Sequence, residues 1–219
     1  MYKILGIMQK KPEVLIPKIS TSLIIDPKRR VTLDEIDEQD GNVSTNELLI
    51  ICEIVKKHKP DYIFEIGTFD GRTTLNMALN AKEKARIFSL DLPRNMKPKH
   101  EFVQGEELFV NKKEPGQRFK KRKESKKIMQ LHGDSTSFNF SPYKNMIDLI
   151  FIDGSHAYPT VLKDSLNAEK MLVKKGIAIW HDYGGWDGVT RALNKIYQET
   201  KFGKNMRHIE GTSLVIRIP

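Results

Sequence analysis

The stretch that most constrains the fold is Asp61-Tyr-Ile-Phe-Glu-Ile-Gly-Thr-Phe-Asp-Gly71, which follows Pro60. Its first residues suit a buried strand, and the run ends in Glu65-Ile-Gly67. Gly67 lets the chain turn sharply and leaves the backbone open to a ligand that comes close. Gly71 opens a helix predicted from Arg72 to about Ala81, with Leu75, Ala78 and Leu79 on one side. A strand, a glycine turn and a helix N-terminus bring free backbone N–H groups to one point. An ordinary βα turn shows the same pattern, so the rest of the chain decides between them.

Upstream, residues 1–42 show no sustained periodicity. Short apolar runs alternate with Pro12, Pro17 and Pro27, which predicts an irregular N-terminal arm able to cover part of a site. Ser44-Thr-Asn-Glu47 is a capping-box pattern ahead of an apolar helix reaching about His58. Downstream, strands are predicted at Arg86–Asp91, Ile128–Leu131, Ile147–Asp153 and Ile177–Trp180. Helices are predicted from about Pro159 to Lys174, ended by Gly176, and from about Asp187 to Thr200. Met206–Ile218 splits at Glu210-Gly211 into a hairpin. Without repeats or a linker, residues 43–219 read as one domain after the arm.

At 219 residues the chain is long enough for a sizeable core without disulfides or metal. No run approaches the ~20 apolar residues of a membrane span. The N-terminus lacks the apolar core and cleavage site of a secretory signal. Cys52 is the only cysteine, at helical spacing with Leu48, Ile51 and Val55, and reads as a core thiol. A cytoplasmic protein is expected. The net charge of +9 is concentrated between Arg94 and Lys127, with 12 Lys/Arg against 5 Asp/Glu. That basic insertion, poor in apolar residues, predicts a solvated, mobile flap; a surface for an anionic partner or RNA stays open.

Strands alternating with helices predict a mostly parallel sheet covered on both faces, an α/β fold. Ligands of such sheets bind beyond the carboxyl ends of the strands. Glu65, Asp91, Asp134, Asp153 and Asp182 each sit at or just after the end of one of five strands. Helix caps and turns account for single carboxylates there, but poorly for five in succession.

With these motifs, residues 45–219 resemble the class I S-adenosylmethionine-dependent methyltransferases. The nearest likeness is to small-molecule and sugar O-methyltransferases of the family 24 type, which carry Ile-Asp-Gly-Ser-His and His-Asp-Tyr motifs. The resemblance implies a Rossmann-like, doubly wound, mostly parallel seven-stranded sheet with a C-terminal antiparallel hairpin strand. It also implies a cofactor site. Glu65, Gly67, Thr68 and Gly71 would form the loop against the methionine part, and Asp91 would hold the ribose hydroxyls. Asp134 and Ser135 would lie by the adenine, with Asp153 nearby. A carboxylate accepting from both ribose hydroxyls fixes the cofactor's rotation.

For the acceptor, metal-dependent relatives resembling catechol methyltransferase place divalent-ion ligands where Asp153 and Asp182 fall. Here Asp182-Tyr183 replaces their Asp-Asn, so the third ligand is open, with His181 or His156 as candidates. Oxygen ligands suit Mg²⁺, and an imidazole tilts the choice to Mn²⁺ or another transition metal. His156 stands where those enzymes carry a lysine base and is the expected general base, with Asp153 and Asp182 holding the acceptor oxygen. Trp180 reads as core, while Tyr183 and Trp186 are candidates for an acceptor wall. The expected acceptor is a small molecule, such as a sugar or phenolic hydroxyl, and a homo-oligomer is compatible with the sequence. Two other classes stay open: an RNA-directed methyltransferase using the basic segment, and a nucleotide binder on the same fold. Gly67-Thr-Phe-Asp-Gly71 lacks the spacing of a dinucleotide site.

Overall fold

A computed structural model describes residues 12–110 and 114–219. Residues 1–11 of the arm and 111–113 of the basic stretch lie outside the described residues. In chain order the elements are β1 (Lys18–Ile19), α1 (Thr45–His58), β2 (Tyr62–Ile66), α2 (Arg72–Asn80), β3 (Arg86–Asp91), α3 (Glu107–Val110) and β4 (Ile128–His132). There follow β5 (Ile147–Ile152), α4 (Tyr158–Met171), β6 (Leu172–Trp180), α5 (Asp187–Glu199), β7 (Met206–Ile209) and β8 (Val215–Arg217). None of the described helices is long and apolar enough to cross a membrane.

One sheet runs in the order β1-β7-β8-β6-β5-β2-β3-β4. The strands from β6 to β4 are parallel to their neighbours, and β8 pairs antiparallel with both β6 and β7. This is the expected Rossmann-like sheet with its C-terminal hairpin. It has eight strands because the arm adds one more: Lys18 and Ile19 pair in parallel with His208 and Ile209 at the edge.

Alternation along the strands builds two cores. Ile63, Leu149, Phe151, Ile177 and Ile179 face α1 and α2, where Leu48, Ile51, Cys52 and Met77 are buried. Phe64, Ile66, Ile150, Ala178 and Trp180 face α4 and α5, with Val161, Leu193 and Ile196. A side-chain period of two against helices on both faces leaves no solvated face on these central strands. The capping box at α1 forms in full, Ser44 and Glu47 each accepting from the other's backbone N–H.

The boundary between α4 and β6 differs from expectation. The helix stops at Met171 rather than near Lys174, and the strand begins at Leu172. Leu172 pairs with Ile147, and pairing resumes at Ile177 opposite Leu149. The residues between are absorbed as a bulge, which a Lys-Lys-Gly run does not announce. The basic stretch is also more anchored than a free flap. Glu106, Phe119 and Glu124 are buried. Gly116 N–H donates to Phe69 O at 3.0 Å, and Arg118 pairs with Asp70 at 2.7 Å. An acid-rich rim on the glycine turn and arm explains why this cationic segment docks there.

β2 lies between β3 and β5, so the chain leaves the sheet's centre in one direction and returns on the other side. The crevice between the carboxyl ends of β2 and β5 is the topological switch point.

Candidate active site

Two loops meet at that crevice: residues 67–71 after β2 and 153–156 after β5. Gly67 has φ +96°, and a Cβ there would stand 1.9 Å from the Asp153 carbonyl oxygen. Gly71 has φ +89°, and its Cβ would meet Gly116 and Phe119 at 2.7 Å. Gly67 makes the expected sharp turn and Gly71 opens the expected helix, but the space a Cβ would take at Gly67 is filled by the chain after β5 rather than left for a ligand.

Glu65 is fully buried, and one of its oxygens accepts from the Thr74 and Ser89 hydroxyls. Its Oε1 has no hydrogen-bond partner among the described residues. Burial pushes this carboxyl up to about 8. An orphaned buried acceptor at the end of β2 suits a cationic or N–H donor from a ligand. Asp91 Oδ2 accepts from the N–H groups of Thr68 at 2.9 Å and Phe69 at 2.6 Å, so it shapes the glycine turn. Thr68 is buried, its hydroxyl 2.7 Å from that of Ser89. Asp134 accepts from Thr136 N–H and hydroxyl, both 2.8 Å, and from Lys99 N–H at 2.7 Å. Burial disfavours its charge, but those donors hold it below its ordinary value. Ser135 donates to the buried Asp164 at 3.0 Å.

The second group lies at the ends of β5 and β6. Asp153, His181 and Asp182 each offer one ligand atom, all within 4.8 Å of one another. With His156 they line a cavity of ≈ 10 Å³, room for about one water or one ion. His181 Nδ1 stands 3.0 Å from Asp153 Oδ1 and 3.2 Å from Asp182 Oδ2. Asp182 has φ +68°, a left-handed conformation that Asp tolerates better than most residues and that is found at functional sites. Two carboxylate oxygens and one imidazole nitrogen fit a divalent cation of the Mn²⁺ class, with positions left for water or substrate. Of the two candidates for third ligand, His181 belongs to this group; His156 meets it through Asp182.

His156 Nε2 is 2.9 Å from Asp182 Oδ2, its Nδ1 is 3.4 Å from Glu106 Oε1, and its backbone N–H donates to the same Glu106 oxygen at 2.6 Å. Trp186 stacks on the ring, with centroids 4.1 Å apart and planes at 11°. Burial opposes the charged imidazole, but the Asp182 hydrogen bond and the nearby Glu106 carboxylate outweigh it and lift the group to about 9. His181 is raised well above its ordinary value in the same way, its burial overcome by the charges of Asp153 and Asp182. Asp182 is lowered, its burial outweighed by His181 and His156. In this arrangement His156 stands between the carboxylates of Asp182 and Glu106.

Tyr183 is a second correction. It is buried, and its hydroxyl accepts from the N–H groups of Leu15 at 2.9 Å and Ile16 at 3.0 Å. It ties down the arm and forms no acceptor wall, whereas Trp186 stays at the crevice. Two residues of the site lacked a sequence signal pointing to it. Glu106 lies in the basic stretch, where the Glu106-Glu107 pair looks like surface. Glu47 reads fully as a helix cap, yet its Oε2 also stands 3.3 Å from His181 Nε2.

The family model described as "Methyltransferase domain", of family 24, matches residues 64–183, more than half of the chain. No curated protein matches the chain. Among solved structures, the chain is similar to the O-methyltransferase TomG of Streptomyces achromogenes, involved in tomaymycin synthesis, in complex with SAM. The TM-score is 0.59 at 15% identity, covering 86% of this chain and 91% of that one. The SAH-bound methyltransferase PaMTH1 of Podospora anserina gives 0.58 at 16%, covering 82% and 81%. An O-methyltransferase of Bacillus cereus in complex with SAH gives 0.52 at 15%, covering 83% and 84%. At such identities the likeness shows a shared fold.

Proposed function

This chain belongs to the methyltransferase family that the matching domain describes, and from that premise we propose that it transfers the methyl group of S-adenosylmethionine to a hydroxyl oxygen of a small molecule or sugar. The observation that carries the acceptor side is the convergence of Asp153, His181 and Asp182 beside the glycine turn. The SAM- and SAH-bound relatives support the cofactor side. Glu65, Gly67, Thr68, Gly71, Asp91, Asp134, Ser135 and Asp153 are the proposed cofactor residues. Glu65 Oε1 would receive the cationic amino group, and Asp91 the ribose hydroxyls.

In the reaction the acceptor oxygen attacks the methyl carbon, the carbon–sulfur bond breaks, and sulfur keeps the electron pair. The methyl is already activated, so the chain must align the oxygen and remove one proton. A divalent ion held by Asp153, His181 and Asp182 would lower the pKa of a bound hydroxyl. His156, hydrogen-bonded to Asp182, would take the proton of the acceptor hydroxyl.

The test is tritiated methyl transfer from S-adenosylmethionine to a panel of phenolic and sugar hydroxyls, with and without Mn²⁺. Transfer that Mn²⁺ stimulates, with Asp182→Asn losing at least about 100-fold and its ion response together, is the expected result. Label found only in RNA would overturn the small-molecule acceptor.

A further inference from the structure

The carboxylate of Glu47 serves more than the helix it caps. Its Oε2 accepts from the Ser44 N–H at 3.0 Å and the Ser44 hydroxyl at 2.7 Å, and stands 3.3 Å from His181 Nε2. Its Oε1 accepts from the Ser213 N–H at 2.7 Å and the Ser213 hydroxyl at 2.8 Å. The Ser213 oxygen in turn accepts from the Asp182 N–H at 3.2 Å. The N-terminus of α1, the end of β6 and the β7–β8 turn therefore meet on one buried side chain.

A helix cap needs only the Ser44 contacts. The contact with His181 has a separate consequence. Glu47 meets one ring nitrogen of His181, Nε2, while the other, Nδ1, faces Asp153 and Asp182 and the small cavity they line. A neutral imidazole that gives Nδ1 to a cation carries its hydrogen on Nε2, where the carboxylate can accept it. A carboxylate on the far nitrogen is the usual means of orienting a metal-ligating imidazole and raising its basicity.

We infer that Glu47 is a positioning residue for the cation site. It holds the Nε2–H of His181, presents Nδ1 to a divalent ion shared with Asp153 and Asp182, and through Ser213 braces the backbone of Asp182. The inference rests on the proposed divalent ion and deepens it. It favours a borderline ion such as Mn²⁺, Co²⁺ or Zn²⁺ over Mg²⁺, because a fixed, basic imidazole suits them better.

The test separates positioning from capping. Glu47→Gln keeps the size of the side chain and an acceptor for Ser213, but its amide no longer demands hydrogen on Nε2. Ser44→Ala weakens the helix cap and leaves the carboxylate on His181. Mn²⁺ is titrated calorimetrically into the full chain and both variants. Nitrogen-15 spectra of labelled histidines are then recorded on the wild-type chain loaded with Zn²⁺. Affinity is expected to fall about 10–100-fold in Glu47→Gln and to stay at the wild-type value in Ser44→Ala, even where Ser44→Ala melts earlier. His181 is expected to show a protonated Nε2 and a metal-bound Nδ1. Wild-type affinity in Glu47→Gln, an equal loss in Ser44→Ala, or metal on Nε2 would overturn the inference alone. A wild-type chain that binds no Mn²⁺ would overturn the divalent-ion reading and this inference with it.

Discussion

Gly67→Ala is expected to remove about 3–5 kcal/mol of folding stability, combining the left-handed penalty with overpacking against backbone. The residue sits at φ +96°, and its new Cβ would stand 1.9 Å from the Asp153 carbonyl oxygen, 2.5 Å from that carbonyl's carbon and 2.9 Å from Gly154 Cα. None of those atoms is the far end of a flexible side chain. They belong to the chain leaving β5, whose Asp153 N–H is bonded to Ile66 O at 2.8 Å. Relief therefore means pulling β2 and β5 apart where the site is built. Gly105→Ala is the control, since φ is +91° there but nothing lies within 4 Å of the added carbon. That change should cost only the backbone term, about 1–2 kcal/mol. Urea denaturation measures both, and a Gly67→Ala midpoint no lower than that of Gly105→Ala would refute the packing argument.

His156→Ala is expected to lower turnover by about 10²–10⁴ and leave cofactor affinity at the wild-type value. The imidazole touches Asp182, Glu106 and Trp186, all on the proposed acceptor side of the crevice. The proposed cofactor residues Glu65, Asp91 and Asp134 have their hydrogen bonds elsewhere. Loss of the ring also removes the hydrogen bond to Asp182 Oδ2, so some stability falls as well. Single-turnover methyl transfer beside calorimetry of S-adenosylhomocysteine separates these effects. A turnover loss below about fivefold would remove His156 from proton transfer.

The sheet and the place of the site are legible in the sequence for a local reason. Strands buried on both faces write continuous apolar runs, and each run here ends in a carboxylate or a glycine turn. Asp153, His181 and Asp182 are singled out because each ends such a run. Their mutual distances come from strands β5 and β6 being neighbours, which the alternating βα order implies. What is not legible depends on contacts across long stretches of chain. Glu47 and His181 are far apart in sequence, and the cap pattern at Ser44 accounts for Glu47 without them. Glu106 is hidden because the polar, net-basic stretch around it reads as surface, although burial beside His156 makes it an anchor. Tyr183 sits beside the His-Asp pair in sequence, yet the left-handed turn at Asp182 sends it into the core. The arm's added strand is two residues long, too short for any periodicity to show.

The most direct test of the central claim is calorimetric titration of S-adenosylhomocysteine into the wild-type chain and Asp91→Ala. One molecule should bind per chain, and the variant should bind about 10–100-fold more weakly, the scale of losing a charge-assisted hydrogen bond of ~1.5–3 kcal/mol. A folded wild-type chain that takes up no S-adenosylhomocysteine would contradict the account.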